Sequence, residues 1–224
     1  ISGDGEPTLV GEEELIDLIL RLKKTSQIKQ IKLTTNGILL GQVAPALKDV
    51  GIDSVTVSIN SLDRDIYAFY SGMDSLNLVI NSIEASLMSG LPTKLNIIYS
   101  RLNKREMNEF ISFARDHPQV ILKFFELIPA DDLSKRLYLP LTELEERLEP
   151  ISQKVVEFND AYVGKTYYLW YGGQIQIKAS GINNCPNIDF IFVFIKRFAA
   201  EKIFGKALAI FFKFIHALGT IAIG

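Results

Sequence analysis

Cysteine is almost absent: Cys185 is the single one in 224 residues. One thiol closes no internal disulfide, and it excludes a multi-cysteine zinc or iron–sulfur site built from this chain alone. An excess of either charge is also missing. Lys+Arg 24 against Asp+Glu 26 gives a net charge of -2, which excludes the broad basic field of a duplex-binding protein, and no nucleic-acid partner is expected. No run of about eighteen uncharged apolar residues occurs, so no segment reads as a spanning helix. The opening stretch "ISGDGEPTLVGEEEL" has neither the basic n-region nor the apolar h-region of a signal peptide. The chain starts on Ile1, with a complete motif almost at once, and reads as truncated at its amino end. With no export signal and no disulfide framework, the expected setting is cytoplasmic.

What is present is enough for a core. Hydrophobic residues make up 48% and charged residues 22%, which excludes disorder as a description of the whole. Up to about residue 128, short β-branched runs alternate with segments at helical period. The runs are Ile28–Thr35, Asp53–Asn60, Thr93–Ser100 and Val120–Ile128. Between them, Leu15, Leu18, Ile19 and Leu22 form one stripe. Leu76, Val79, Ile80, Ile83 and Leu87 form a second that stops at Gly90, and Met107, Phe110, Ile111 and Ala114 a third that ends before Pro118. Strands alternating with such helices imply right-handed crossovers and a parallel sheet, with a fifth strand clipped at Ile1. In a sheet of this kind function gathers at the carboxyl ends of the strands. Here those ends read "SGDGEP", "TTNG", "SINS", "YSRLN" and "ELIP".

After Pro129 the rhythm changes. "LPLTELEERLEP" reads as a short helix, and "KVVEF", "KTYYLWY" and "QIQIKAS" as short strands with Gly172-Gly173 at a hairpin turn. From residue 190 to 215 lie eight of the chain's 14 Phe, interrupted by Lys196, Arg197, Lys202, Lys206 and Lys213. Three readings of this tail stay open: a basic amphipathic helix against a membrane or partner, an ordinary packing helix, and an out-of-frame extension. The expected organisation is an α/β partial, open parallel barrel over residues 1–130, a small mixed β extension over 131–185, and a helical apolar tail over 186–224.

Several strand ends carry chemistry. In "GDGEPT" the glycines let backbone groups approach a ligand, and Pro7 fixes the exit; alone, it does not distinguish a ligand loop from a plain turn. "LTTNG" offers Thr34, Thr35 and Asn36, with helix capping by Asn36 as the plain alternative. "VSINSLD" offers Ser58, Asn60 and Ser61, where Ser61 or Asp63 serves equally as a cap. Lys94 and Asn96 share a face of a strand buried on at least one side, and a buried lysine needs an anion or acid. Glu126 in "FFELIP" is one candidate partner, as a structural ion pair.

In order and spacing these elements resemble the radical S-adenosylmethionine (SAM) superfamily, and within it the molybdenum-cofactor biosynthesis protein A family, the GTP 3′,8-cyclases. The residues that carry the likeness are S-G-D-G-E-P, L-T-T-N-G, V-S-I-N-S-L, N-S-I-E-A-S, T-K-L-N, S-R-L-N-K-R-E and F-F-E-L-I-P. The resemblance implies a six-stranded open barrel that binds SAM beside a [4Fe-4S] cluster held by three cysteines. One electron from a donor such as flavodoxin or ferredoxin cleaves SAM to a 5′-deoxyadenosyl radical, which abstracts hydrogen from GTP. It implies SAM contacts from Gly3, Gly5, Glu6, Asn36, Ser58 and Ile128, and GTP-phosphate contacts from Thr34 and Lys94. The cluster ligands are not in this chain, which would not hold the cluster alone.

The chain departs from the family pattern at Asn60, where an acid is usual, at Ile128, where methionine is usual, and at Leu102, where the family has glycine. The second, carboxyl-terminal cysteine cluster has no counterpart beyond Cys185. Two alternatives therefore stand beside the cyclase reading: a radical SAM enzyme with another substrate (a peptide or tRNA base), and a degenerate non-catalytic relative. Oligomeric state is left open.

Overall fold

The computed structural model describes residues 1–2, 5–26, 28–159 and 163–179. Gly3, Cys185 and the phenylalanine-rich tail lie outside the described residues.

The first four strands, β1 (Lys32–Thr35), β2 (Ser54–Ser58), β3 (Thr93–Tyr99) and β4 (Ile121–Glu126), pair in parallel and in chain order. That order with helical crossovers places the helices on one face of the sheet. The crossovers are α1 (Glu12–Lys23), α2 (Leu40–Asp49), α3 (Arg64–Ser71), α4 (Leu76–Met88) and α5 (Met107–Asp116). After α6 (Asp132–Leu137) and α7 (Thr142–Leu148) come β5 (Ser152–Asn159), β6 (Val163–Leu169) and β7 (Gln174–Ala179). β7 lies parallel beside β4, while β6 and β5 run antiparallel outward from it, giving one open sheet in the order β1-β2-β3-β4-β7-β6-β5. Beside β1, the Ile1 ammonium donates to Lys32 O, and Thr34 N donates to Ile1 O at 3.0 Å. Those two bonds form one rung of a parallel ladder.

Strand alternation separates two faces. Leu33, Val55, Val57, Leu95, Ile97, Leu122, Phe124, Ile175 and Ile177 are buried toward the helices; the edge-to-face contact of Phe124 with Phe110 of α5 fixes that side. Leu15 and Ile19 of α1 join this core, but Leu18 is 41% exposed. The expected α1 stripe is therefore narrower than its sequence suggested, because an outer helix buries about one side of its cylinder. Gly90 closes α4 at φ +68°, the left-handed conformation of a helix-ending glycine.

Candidate functional site

The opposite face of the sheet is polar, and the strand registers arrange it in transverse rows. Thr34 pairs with Thr56, Thr56 with Lys94, Lys94 with Ile121 and Ile121 with Gln174. One step toward the carboxyl ends, Ser58 pairs with Asn96, Asn96 with Lys123, Lys123 with Gln176 and Gln176 with Thr166. Residues that lie far apart in the chain thus face one surface, adjacent strands about 4.8 Å apart and the rows roughly 6.7 Å apart.

Three atoms of this surface are buried without any hydrogen-bond partner among the described residues: Ser54 Oγ, Ser58 Oγ and Asn96 Oδ1, the last two on paired positions of neighbouring strands. Lys94 is half-buried and has no hydrogen bond or ion pair among the described residues. Burial, with a smaller contribution from the like charge of Lys32, pulls its ammonium below the ordinary lysine range. The ion pair with Glu126 that the sequence allowed does not form. Glu126 sits five positions further along β4 than Ile121, the register partner of Lys94, and its carboxylate accepts from Tyr138 Oη at 2.8 Å. Five positions is an odd step, so the two side chains leave the sheet on opposite faces.

The loop ends above these rows are held by two buried carboxylates. Glu6 is 8% exposed. Its Oε1 accepts from Thr8 N at 3.1 Å, Thr8 Oγ1 at 2.7 Å and Thr35 Oγ1 at 2.6 Å, and its Oε2 accepts from Asn36 N at 2.6 Å. Glu6 thereby ties the Gly5-Glu6-Pro7 turn to the end of β1. Asn36 Oδ1 accepts from Ile38 N at 2.9 Å, the local turn that the plain reading anticipated. Gly37 follows at φ +84°, where a Cβ would stand 2.7 Å from Val57 and 3.0 Å from Val79; only glycine fits. Gly5 is different: among the described residues nothing lies within 4 Å of the position its Cβ would take.

The second carboxylate, Glu106, accepts from Ser61 Oγ at 2.7 Å, Leu62 N at 2.6 Å and Asp63 N at 3.1 Å. Burial pushes its carboxyl up, opposed by the Ser61 hydroxyl and the Leu62 and Asp63 N–H groups. Asp63 Oδ1 in turn caps α3 by accepting from Asp65 N and Ile66 N. Asn103 completes the frame, donating to Asn60 O at 2.7 Å and Ile98 O at 2.8 Å while accepting from Ser100 N at 2.9 Å. Asn60 uses its own Oδ1 to accept from Ile98 N at 2.9 Å, the work an acid could do there. At the end of β4, Ile128 O accepts from Ala130 N at 2.9 Å.

The loops that follow β1, β2 and β4 therefore lie along the same carboxyl edge of the sheet, with Thr34 and Lys94 further back on its polar face. A separate cleft of about 460 Å³ lies at the β5–β7 end of the sheet, lined by Glu126, Glu145, Glu157 and Lys165 among others; of the motif residues it includes only Glu126.

The family model for the radical SAM superfamily matches residues 1–114. The chain belongs to the radical SAM superfamily. Among curated proteins, "Probable GTP 3',8-cyclase" of Sulfurisphaera tokodaii is 35% identical over 172 residues, covering 74% of this chain and 52% of that protein. "GTP 3',8-cyclase" of Moorella thermoacetica is 32% identical over 151 residues, covering 66% of this chain and 46% of that protein. The chain spans about half the length of the curated relatives it matches. A solved structure described as "Native anSMEcpe with bound AdoMet and Kp18Cys peptide" superposes with a TM-score of 0.45 at 21% identity, covering 54% of this chain and 35% of that one.

Enzymes of this superfamily use SAM and a [4Fe-4S] cluster. The residues present fit the first: Ser58 Oγ and Asn96 Oδ1 await partners, and among the described residues nothing crowds a Cβ at Gly5. They do not fit the second, since one cysteine cannot supply three thiolates. Among the described residues no group of three or more His, Cys, Asp or Glu could hold a metal, and no helix is long and apolar enough to cross a membrane.

What the sequence reading missed is the anchoring by Glu6 and Glu106 and the row of Lys123, Gln176 and Thr166. Glu6 reaches its partners over 29 and 30 positions, and Glu106 over 43 to 45; local periodicity carries no trace of such contacts. The row becomes visible only once strand register is known.

Proposed function

We propose that this chain forms the SAM-facing and substrate-facing walls of a cytoplasmic radical SAM enzyme of the GTP 3′,8-cyclase kind, with the cluster ligands supplied outside these residues. One observation carries the reading. A half-buried lysine without a partner among the described residues, Lys94, stands near the start of β3 in register with Thr56 and Thr34, one row beneath the orphaned buried Ser58 Oγ and Asn96 Oδ1. A cation left without a partner in a half-buried site is costly unless a ligand supplies the anion. A nucleotide phosphate does so, and the names of the relatives point to GTP.

SAM bound here would supply hydrogen-abstracting chemistry to the substrate if a cluster ligated outside these residues and a flavodoxin- or ferredoxin-like electron donor served it. The chain's own residues do the rest. Gly5 presents backbone to the SAM methionine end, Ser58 offers its hydroxyl, Asn36 brings its side-chain amide, and Ile128 lines the adenine side. Glu6 holds the turn that carries Gly5. Thr34 and Lys94 hold the phosphates, fixing the substrate by charge and hydrogen bonding together.

Isothermal titration with SAM and with GTP tests this. Lys94→Ala is expected to weaken GTP binding by about 10- to 100-fold, the worth of one charged hydrogen bond, and SAM binding by less than about threefold. Equal loss of both ligands, or of neither, rejects the role of Lys94. Binding of SAM with no binding of GTP by the wild-type protein favours the peptide or tRNA-base alternative.

A further inference from the structure

Behind the row that holds Thr34, Thr56 and Lys94, the polar face carries a second cation. Lys32 of β1 pairs with Ser54 of β2, one row nearer the amino end of the sheet. Strand alternation puts both on the same face as Thr34 and Thr56. Ser54 is 4% exposed, and its Oγ is buried with no partner among the described residues. The Ser54 position lies directly across from Lys32 and diagonally from Lys94. Two strand spacings and one row separate the two lysines, roughly 12 Å at the backbone, a gap that their long side chains narrow from both ends.

The two lysines differ in kind. Lys32 is exposed, a hydrated point charge. Lys94 is half-buried, and burial, helped by the repulsion of Lys32, weakens its hold on a proton. The other charged group on these rows is Lys123 of β4, one row on from Lys94. Asp53, at the head of β2, spends a carboxylate oxygen on Ile31 N at 2.6 Å. A lysine desolvated near another cation is the arrangement that makes an amine nucleophilic.

We infer that Lys94 is an acylation site for acyl phosphates, with Lys32 and the Ser54 hydroxyl gripping the phosphate while the Lys94 amine attacks the acyl carbon. Both gripping groups are donors, as phosphate oxygens require. The step balances without any redox partner. The N–C bond forms and the C–O bond to phosphate breaks. Inorganic phosphate leaves with that electron pair, and the proton lost by the amine ends on it. The product is a neutral amide, so the modification cancels the cation on which the phosphate role proposed above depends. The inference goes beyond that role and stands whether or not the face binds GTP.

Acetyl phosphate tests it, with acetylation of each lysine in the 224-residue protein followed over time by peptide mass spectrometry. At pH 8 Lys94 is expected to react at least about tenfold faster than the exposed Lys24 and Lys29. Its rate should also level off at lower pH than that of the free model amine Nα-acetyl-lysine. Lys32→Met is expected to slow acetylation of Lys94 by acetyl phosphate about tenfold, the worth of one charged contact. With the neutral donor N-acetylimidazole, the same variant should slow it only about two- to threefold, since no phosphate needs holding. Ser54→Ala should give a smaller loss, confined to acetyl phosphate. A wild type in which Lys94 reacts no faster than Lys24 and Lys29 overturns the inference. So does a Lys32→Met protein that slows equally with both donors, because Lys32 would then act only on the proton affinity of Lys94.

Discussion

Replacing Glu6 by glutamine separates an architectural role from a ligand contact. The carboxylate accepts four hydrogen bonds, three on Oε1 and one on Oε2. Glutamine keeps the shape but carries one NH₂. Placed at the Oε2 position it faces the Asn36 N–H, donor against donor; placed at Oε1 it faces Thr8 and Thr35. Either way at least one buried N–H or O–H loses its acceptor and the rest lose the charge. Hydrogen bonds to charged groups are worth about 1.5–3 kcal/mol each, and an orphaned buried donor costs about 1–3 kcal/mol. Part of that is recovered by rotating a threonine hydroxyl, which leaves about 2–4 kcal/mol. At about 2–4 °C per kcal/mol for a chain of this size, Tm falls by roughly 10 °C without any ligand present. Thermal and urea unfolding of the unliganded protein measure it directly. Thr35→Val removes one of the same bonds, so the double variant should fall short of the sum by about 1 kcal/mol. The reasoning fails if unliganded Glu6→Gln stays within about 0.5 kcal/mol of wild type while its affinity for SAM collapses; Glu6 would then be a ligand contact.

Lys94→Met should raise Tm at pH 7 even as it removes the proposed phosphate contact, because the folded protein holds a charge it disfavours. The sign follows from its lowered pKa: the protonated lysine favours the unfolded chain, and the penalty fades as pH climbs toward the ordinary lysine value. The Tm gap between variant and wild type should therefore narrow as pH rises toward the ordinary lysine range, and a gap independent of pH would contradict the assignment. Tyr99 and Tyr167 offer a second pH test. Both are fully buried, their hydroxyls without a partner among the described residues, and burial, the largest cause, pushes each phenol up to about 12. A phenol held neutral in the fold stabilises it below pH 10, and that stability is lost as pH rises from 10 to 12. Urea unfolding across that range should show the fall in wild type and a flatter profile in Tyr99→Phe/Tyr167→Phe, which at pH 7 should lose no stability. A steep alkaline fall in the double variant would place its origin elsewhere.

The parallel order of the first four strands was legible because each β-branched run is short and each intervening stripe keeps helical period. α2 was harder to see: Pro45 sits inside it and Gly41 near its start, two residues that ordinarily argue against a helix. Tertiary packing overrides them, since a Cβ at Gly41 would stand 3.1 Å from Ser82 Oγ and 3.3 Å from Ser82 Cα of α4, a tight approach that favours glycine. Among the site residues, Thr34 and Lys94 could be named from motifs alone, yet their shared row needed the β1–β2–β3 register. Glu126 shows the converse failure. Its motif put it near the site, but one odd step of the strand turned it to Tyr138 on the other face.

The two faces of the sheet obey different economies. Toward the helices, paired positions are mostly Leu, Val, Ile and Phe, with the buried Tyr99 and Tyr167 among them, and close packing there accounts for the fold. On the other face three side-chain atoms, Ser54 Oγ, Ser58 Oγ and Asn96 Oδ1, are buried without partners among the described residues. Each costs about 1–3 kcal/mol, a sum comparable with the whole stability of a typical domain, about 5–15 kcal/mol. Valine at any of these positions would remove the cost and suit a strand better. Stability alone therefore does not explain why β2 and β3 carry Ser, Thr, Lys and Asn on that side. On the proposed function, a ligand that donates to Asn96, bonds Ser58 and neutralises Lys94 would explain them, because binding would stabilise the fold through those groups.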